Sequence, residues 1–178
     1  MTLKKAKIIA IFGIFSICFF AHFFYSWFPN VLFSIFFPVN ESIWEHMKII
    51  FTSILIYSIV DYVLLKMFNI CFNNFITNIF LAGIFSIISF LIIYLPFNYL
   101  FGENIFLNIF VLFISIVISQ VISYFVLKSN DSGLLNYISL IGVIFAYIIF
   151  GMLTYYPIID DLFYDKVHEK YGINTYNV

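Results

Sequence analysis

Polar and apolar residues segregate along this chain in long blocks. Five almost uninterrupted apolar stretches run at Ile8–Phe28, Ile43–Leu65, Phe75–Phe97, Ile105–Leu127 and Leu134–Thr154. Each is long enough for a helix to cross a hydrocarbon core of about 30 Å. Their Ile and Phe content would favour strands in water. Continuous apolar length overrides that preference, because a segment in lipid must satisfy its own backbone hydrogen bonds, and a helix does so. The breaks are short and rich in turn residues: Asn69 to Asn74, Asn98 to Asn104, and Lys128 to Gly133. The pattern predicts an all-α polytopic membrane helical bundle of about five transmembrane helices. It reads as a single integral membrane domain over residues 1–178, with a polar C-terminal tail from Tyr155 onward. No internal repeat points to an inverted-repeat transporter.

The first connection is different. Pro29 to Asn40 is too apolar for a free loop and too short to span, so it predicts an interfacial or re-entrant segment. The start, with Lys4, Lys5 and Lys7 before an apolar run, imitates a signal peptide. That run reaches Phe28 without a clear small-residue cleavage site, and we read it as a retained first helix.

Composition sharpens the class. Of 178 residues, 64% are hydrophobic and only 10% charged, which excludes a water-soluble globule and a disordered chain. All eight basic residues are lysine and the net charge is -1, so there is no basic footprint for nucleic acid. Lysine without arginine, together with 26 Phe, fits a low-GC bacterial genome. The partner implied is the lipid bilayer; a protein partner or a second copy of the chain is compatible with it. Cys18 and Cys71 fall at different expected depths, so a disulfide is not predicted, and no CxxC spacing marks a zinc site.

Lys4, Lys5 and Lys7 place the N-terminus in the cytoplasm of a multi-pass cell-membrane protein. Five helices then put Lys66 and Lys128 inside, and Lys48, Lys166 and Lys170 outside. Glu41, Glu45, Glu103, Asp160, Asp161, Asp165 and Glu169 all fall outside, and the C-terminus is extracellular. The odd helix count brings Asn40–Lys48 and the tail to one face.

The candidate chemistry sits there. Asn40-Glu41-Ser42-Ile43-Trp44-Glu45-His46-Met47-Lys48 opens the second long helix. Part of it has a structural explanation. Ser42-x-x-Glu45 reads as a capping box, Trp44 as an interfacial anchor, and Lys48 as a snorkelling side chain. Those roles leave Asn40, Glu41 and His46 unexplained. Glu45 and His46 are consecutive and point about 100° apart. His22 lies six residues before Phe28, about 9 Å below the outer end of its helix, a depth that requires a partner. If it meets the motif, His22, His46, Glu41 and Glu45 can ligate a divalent metal such as zinc, with Asp165 as an additional ligand. Glu41, Glu45 and His46 can equally act in acid–base catalysis. The HExxH signature is absent. Tyr155 and Tyr156 suit an interfacial belt, and Asp160, Asp161 and Asp165 read either as a cover over the site or as a solvated tail. Asp61 and Gln120 are polar residues near the inner ends of their helices, where Asp61 can bond Gln120 or Tyr62.

His22-Phe23-Phe24-Tyr25, the string from Pro38 to Lys48, Tyr156-Pro157, Leu162 to Asp165 and Tyr171-Gly172 together resemble an uncharacterised family. It consists of small bacterial multi-pass membrane proteins, mainly from Firmicutes, and is a domain of unknown function with an Asn-Glu-Ser-x-Trp-Glu-His-x-Lys motif. The resemblance covers nearly the whole chain and implies that the motif segments share the outer face. It supplies no activity. The family commonly has proline after the aspartate before its Tyr-Gly, where this chain has Lys166. A looser likeness is to membrane hydrolases of the ceramidase and adiponectin-receptor type, which bind zinc through histidines and acids. Those have typically seven helices, and their full pattern is not matched here.

Three functions are compatible with these residues. The sharpest is a metal-assisted hydrolase or transferase on a lipid-type substrate at the outer interface. The others are a non-enzymatic membrane subunit or ligand sensor, and a small oligomeric transporter using Asp61 and Gln120.

Overall fold

The computed structural model describes residues 1–102 and 104–173; Glu103 and the last five residues lie outside the described set. Six helices run in chain order: α1 Leu3–Trp27, α2 Val31–Phe36, α3 Ile43–Met67, α4 Phe75–Phe101, α5 Ile105–Lys128 and α6 Gly133–Tyr155. Two short strands follow, β1 Tyr164–Asp165 and β2 Lys170–Tyr171. All helices except α2 are long and apolar enough to cross a membrane. The chain is therefore an all-α bundle compatible with multi-pass membrane insertion.

The helices outrun the apolar stretches because local caps extend them. Thr2 Oγ1 accepts the Lys5 amide and starts α1 five residues before Ile8. Pro96 does not stop α4, which continues to Phe101 and closes on Gly102 in a positive-φ conformation. The start of α4 is capped from another helix, since Asn136 Oδ1 accepts the amides of Ile76 and Thr77, each at 3.1 Å.

Helix α3 is the centre of the bundle. Of its most apolar window 61% is buried, against 22–33% for the other long helices. Helices α1, α3, α4 and α5 close a ring of neighbours, and α6 packs on α4 and α2. Tyr57 lies on Gly13 and Phe51 on Gly83, where a Cβ would collide with the ring. Much of the outer surface is exposed Phe, Ile and Leu, including Phe12, Phe20, Phe125 and Phe145. That is the surface a lipid-facing helix presents.

The connection after α1 is re-entrant in shape. The Phe36 carbonyl accepts Thr52 Oγ1 at 2.7 Å. Thr52 lies ten positions past Ser42, about 15 Å along α3. The chain thus descends through α2 to that level and climbs back through Pro38. Phe24, Phe33 and Phe37 stack at 4.5–5.9 Å and hold the descent against α1.

Two lysines are buried in ion pairs. Lys48, expected to snorkel, is fully buried; it pairs with Glu45 at 2.6 Å and donates to Ser34 O and Thr154 Oγ1. It satisfies a carbonyl of the re-entrant segment that water cannot reach. Lys7, one of the three lysines used to orient the N-terminus, is buried and paired with Asp61. Asp61 therefore bonds neither Gln120 nor Tyr62; the nearest cation takes it. Lys7, Asp61 and Gln120 do line one small cavity.

Beyond α6, Pro157 turns the chain, and β1 pairs antiparallel with β2, Tyr164 opposite Tyr171 and Asp165 opposite Lys170. This hairpin folds back on the start of α3. The Trp44 amide donates to Leu162 O, Asn40 Nδ2 to Gly172 O, and the Ile173 amide to Thr154 O. Gly172 has φ +55 and lies against Thr154 O, a position where a side chain would meet backbone.

Candidate metal centre

The site is assembled at the end of the bundle that carries the tail. Asn40 Oδ1 accepts the Ser42 amide at 2.9 Å and shapes the turn, while Ser42 Oγ caps the Glu45 amide. The reciprocal half of the expected capping box is missing. The Glu45 carboxylate turns inward instead, accepting from the Val39 amide, Thr154 Oγ1 and Lys48. Glu45 is 1% exposed and belongs to the buried network that fastens α3 to α6 and the re-entrant loop. It does not join the histidines, for the reason its position beside His46 implied: the two diverge around the helix.

Glu41 and His46 face the other way, toward α1. His22 Nε2 lies 3.2 Å from Glu41 Oε2, and His46 Nε2 lies 3.8 Å from the same oxygen. The imidazole centroids are 5.7 Å apart. Three ligand atoms, one from each of His22, Glu41 and His46, fall within 4.8 Å of one another. All three residues are half-buried. His46 Nδ1 is 2.8 Å from the Ser42 carbonyl. A carbonyl only accepts, so Nδ1 carries a proton, and in the neutral ring Nε2 presents its lone pair to the cluster. A metal-ligating histidine is commonly set up this way.

Asp165 is brought to the site without entering the cluster. It is fully buried, and its Oδ2 accepts the Glu41 backbone amide at 3.1 Å and lies 2.8 Å from His168 Nδ1. Its Oδ1 accepts the amides of Val167 and His168. Burial pushes this carboxyl up, but those donors outweigh it and leave the pKa below the usual carboxylate value. The hydrogen bond from His22 likewise holds the Glu41 carboxyl below its ordinary value, against burial. Asp165 thus positions Glu41 through the backbone. His168 is exposed, and its ring is tied to Asp165. Trp44 packs on Phe150 and Phe163, away from the histidines. Tyr156 is exposed, while Tyr155 bonds Ser34.

The cluster borders a cleft of about 410 Å³. Cys18, Ile49, Phe90 and Tyr94 form its buried floor. Asn104, Asn108, Asp161, Tyr164 and Lys166 bring polar groups to its walls. Sequence reasoning named the histidines and Glu41 but missed Tyr94, Asn104 and Asn108. Their one signal is polarity near a helix end, which many capping residues share.

A family described as a family of unknown function, DUF6512, matches residues 1–173. The chain belongs to the DUF6512 family. No curated protein and no solved structure matches it. The DUF6512 match spans every element described above, from α1 to the hairpin that holds Glu41.

Proposed function

We propose that the chain is a metal-dependent hydrolase at the outer membrane interface, with His22, Glu41 and His46 as the ligands of a divalent ion such as zinc. The observation that carries this reading is the His46 ring. Its Nδ1 proton is committed to Ser42 O, so Nε2 is free to ligate beside His22 and Glu41. Two imidazoles and one carboxylate leave a fourth coordination position for water or substrate, the pattern of catalytic rather than structural zinc. Zinc in such a set lowers the pKa of water to about 7 and polarises a carbonyl. In such a hydrolysis hydroxide would add to the acyl or phosphoryl centre, the bond from that centre to the leaving heteroatom would break, and the heteroatom would take up the proton. Asp165 and Ser42 hold Glu41 and His46 in place for that work. The lysine distribution supports the outer face.

The test is turnover of fluorogenic ester and amide lipids by purified protein in mixed micelles. Chelation or Glu41→Gln should each lower turnover about 100-fold or more, since even supporting groups around a metal are worth 10–100-fold. Added zinc should restore the chelated enzyme only. Turnover indifferent to both treatments rejects the metal reading.

A further inference from the structure

The end of the bundle away from the tail holds a second polar site. Lys7 on α1, Tyr57 and Asp61 on α3, Asn78 on α4, and Gln120 and Ser123 on α5 line one cavity of about 10 Å³. Lys7 is about 22 Å along α1 from His22, so this site is separate from the histidine cluster. Each of the six residues is at most 5% exposed. Among the described residues, four oxygens of this set have no hydrogen-bond partner: Tyr57 Oη, Asp61 Oδ1, Asn78 Oδ1 and Ser123 Oγ. Buried polar atoms are seldom left so, and four on the lining of one cavity point to a ligand.

The chemistry of the four selects the ligand. All are oxygens, from one carboxylate, one amide and two hydroxyls, the donors that hard cations take. One carboxylate balances one positive charge, so the ion is monovalent. Lys7 already supplies that charge, because its ammonium is paired with Asp61 Oδ2. A second cation beside it would leave a net charge inside an apolar bundle, which is costly. The ammonium must therefore leave as an ion enters. Its position allows this. Lys7 is four residues into α1, about 6 Å from the helix start. Lysines so near a helix end can extend their stems to the interface. The cavity alone is about the size of one water, and its four oxygens are closed to solvent while Lys7 is in place. The volume that the ammonium gives up beside Asp61 is what opens them.

We propose that this cavity is a sodium site for which Lys7 is the built-in competitor. In one state the Lys7 ammonium holds Asp61. In the other it withdraws to the interface, and a dehydrated sodium ion takes its place among Asp61, Asn78 Oδ1, Tyr57 Oη and Ser123 Oγ. The charge inside the bundle is the same in both states, and no proton moves. This end of the bundle is fastened either way: α1 to α3 by the ion pair, or α3 to α4 and α5 by the ion. The site is independent of the hydrolase reading.

The experiment measures binding of radioactive sodium to the full chain in detergent, and its melting in sodium, potassium or choline chloride at one ionic strength. Wild type should bind about one ion per chain, displaced by unlabelled sodium and not by potassium, and should melt highest in sodium, as a ligand of the native state requires. Lys7→Met removes the competitor, so half-saturation should fall about tenfold, the site no longer having to release Lys7 first. Lys7→Met with Asp61→Asn, a neutral pair, should melt alike in all three salts and bind no sodium. Ser123→Ala removes one oxygen from a chain that keeps its ion pair, and should weaken binding about fivefold; it tests the site even if Lys7→Met does not fold. Wild type that binds no sodium and melts alike in the three salts overturns the proposal, and a water beside the ion pair then accounts for the cavity. Affinity unchanged in Lys7→Met overturns the competition. Binding retained by the double variant, or unchanged in Ser123→Ala, overturns the oxygen set.

Discussion

At His46 a single hydrogen bond chooses the tautomer, and with it which ring nitrogen faces His22 and Glu41. The same economy holds at Glu41, whose backbone is fixed by Asp165 while its carboxylate meets His22. Both carboxyls have pKa values below the ordinary value of about 4. A folded-state pKa that is depressed means the unfolded chain binds protons more readily, so stability rises with pH through that range. The stabilisation is complete above the unfolded pKa and fades as pH falls through the folded one. Metal-free protein should therefore melt at progressively lower temperature as pH is taken from 5 toward 3. Asp165→Asn should flatten that dependence. A melting temperature equally pH-sensitive in the variant would show that other groups control it.

At the scale of elements, the re-entrant loop and the hairpin are both held by polar groups buried against α3 and α6. Lys48, Glu45, Thr154 and Ser34 form one connected set. Removing one partner of a buried ion pair leaves a charge without compensation and costs about 3–5 kcal/mol. Lys48→Met should therefore be severely destabilising, and Lys48→Met with Glu45→Gln should recover a large part of the loss. Additive losses, read by thermal melting in detergent, would show that the two residues act separately. Long helices and the odd span between Pro29 and Asn40 were legible because apolar length alone distinguishes them. The fate of Glu45 and Lys48 was not. A capping glutamate and a snorkelling lysine look the same in sequence as a buried pair, and only the position of Ser34 and Thr154, far away in the chain, decides between them. Asp165 was legible as a member of the site but not in its role, because holding a backbone amide leaves no mark on composition or spacing.

Across the described residues, three clusters of charged side chains stand out in a largely apolar bundle. The Lys7–Asp61 pair joins α1 to α3 at one end, and the Glu45–Lys48 network joins α3 to α6 at the other. Both explain themselves as charge-neutral ion pairs that fasten helices together. The His22–Glu41–His46 cluster does not. It is half-exposed, opens on a cleft of about 410 Å³, and holds its ligand atoms within 4.8 Å of one another. That contrast is the basis for assigning function to this cluster and structure to the other two. The most direct test is the metal content of the detergent-purified full chain after dialysis against zinc, beside His22→Ala and His46→Ala variants of matched melting temperature. The account predicts about one zinc per chain in the wild type, the count for a single three-ligand site, and a clear loss in each variant. Zinc absent from the wild type, or retained equally by both variants, would contradict it.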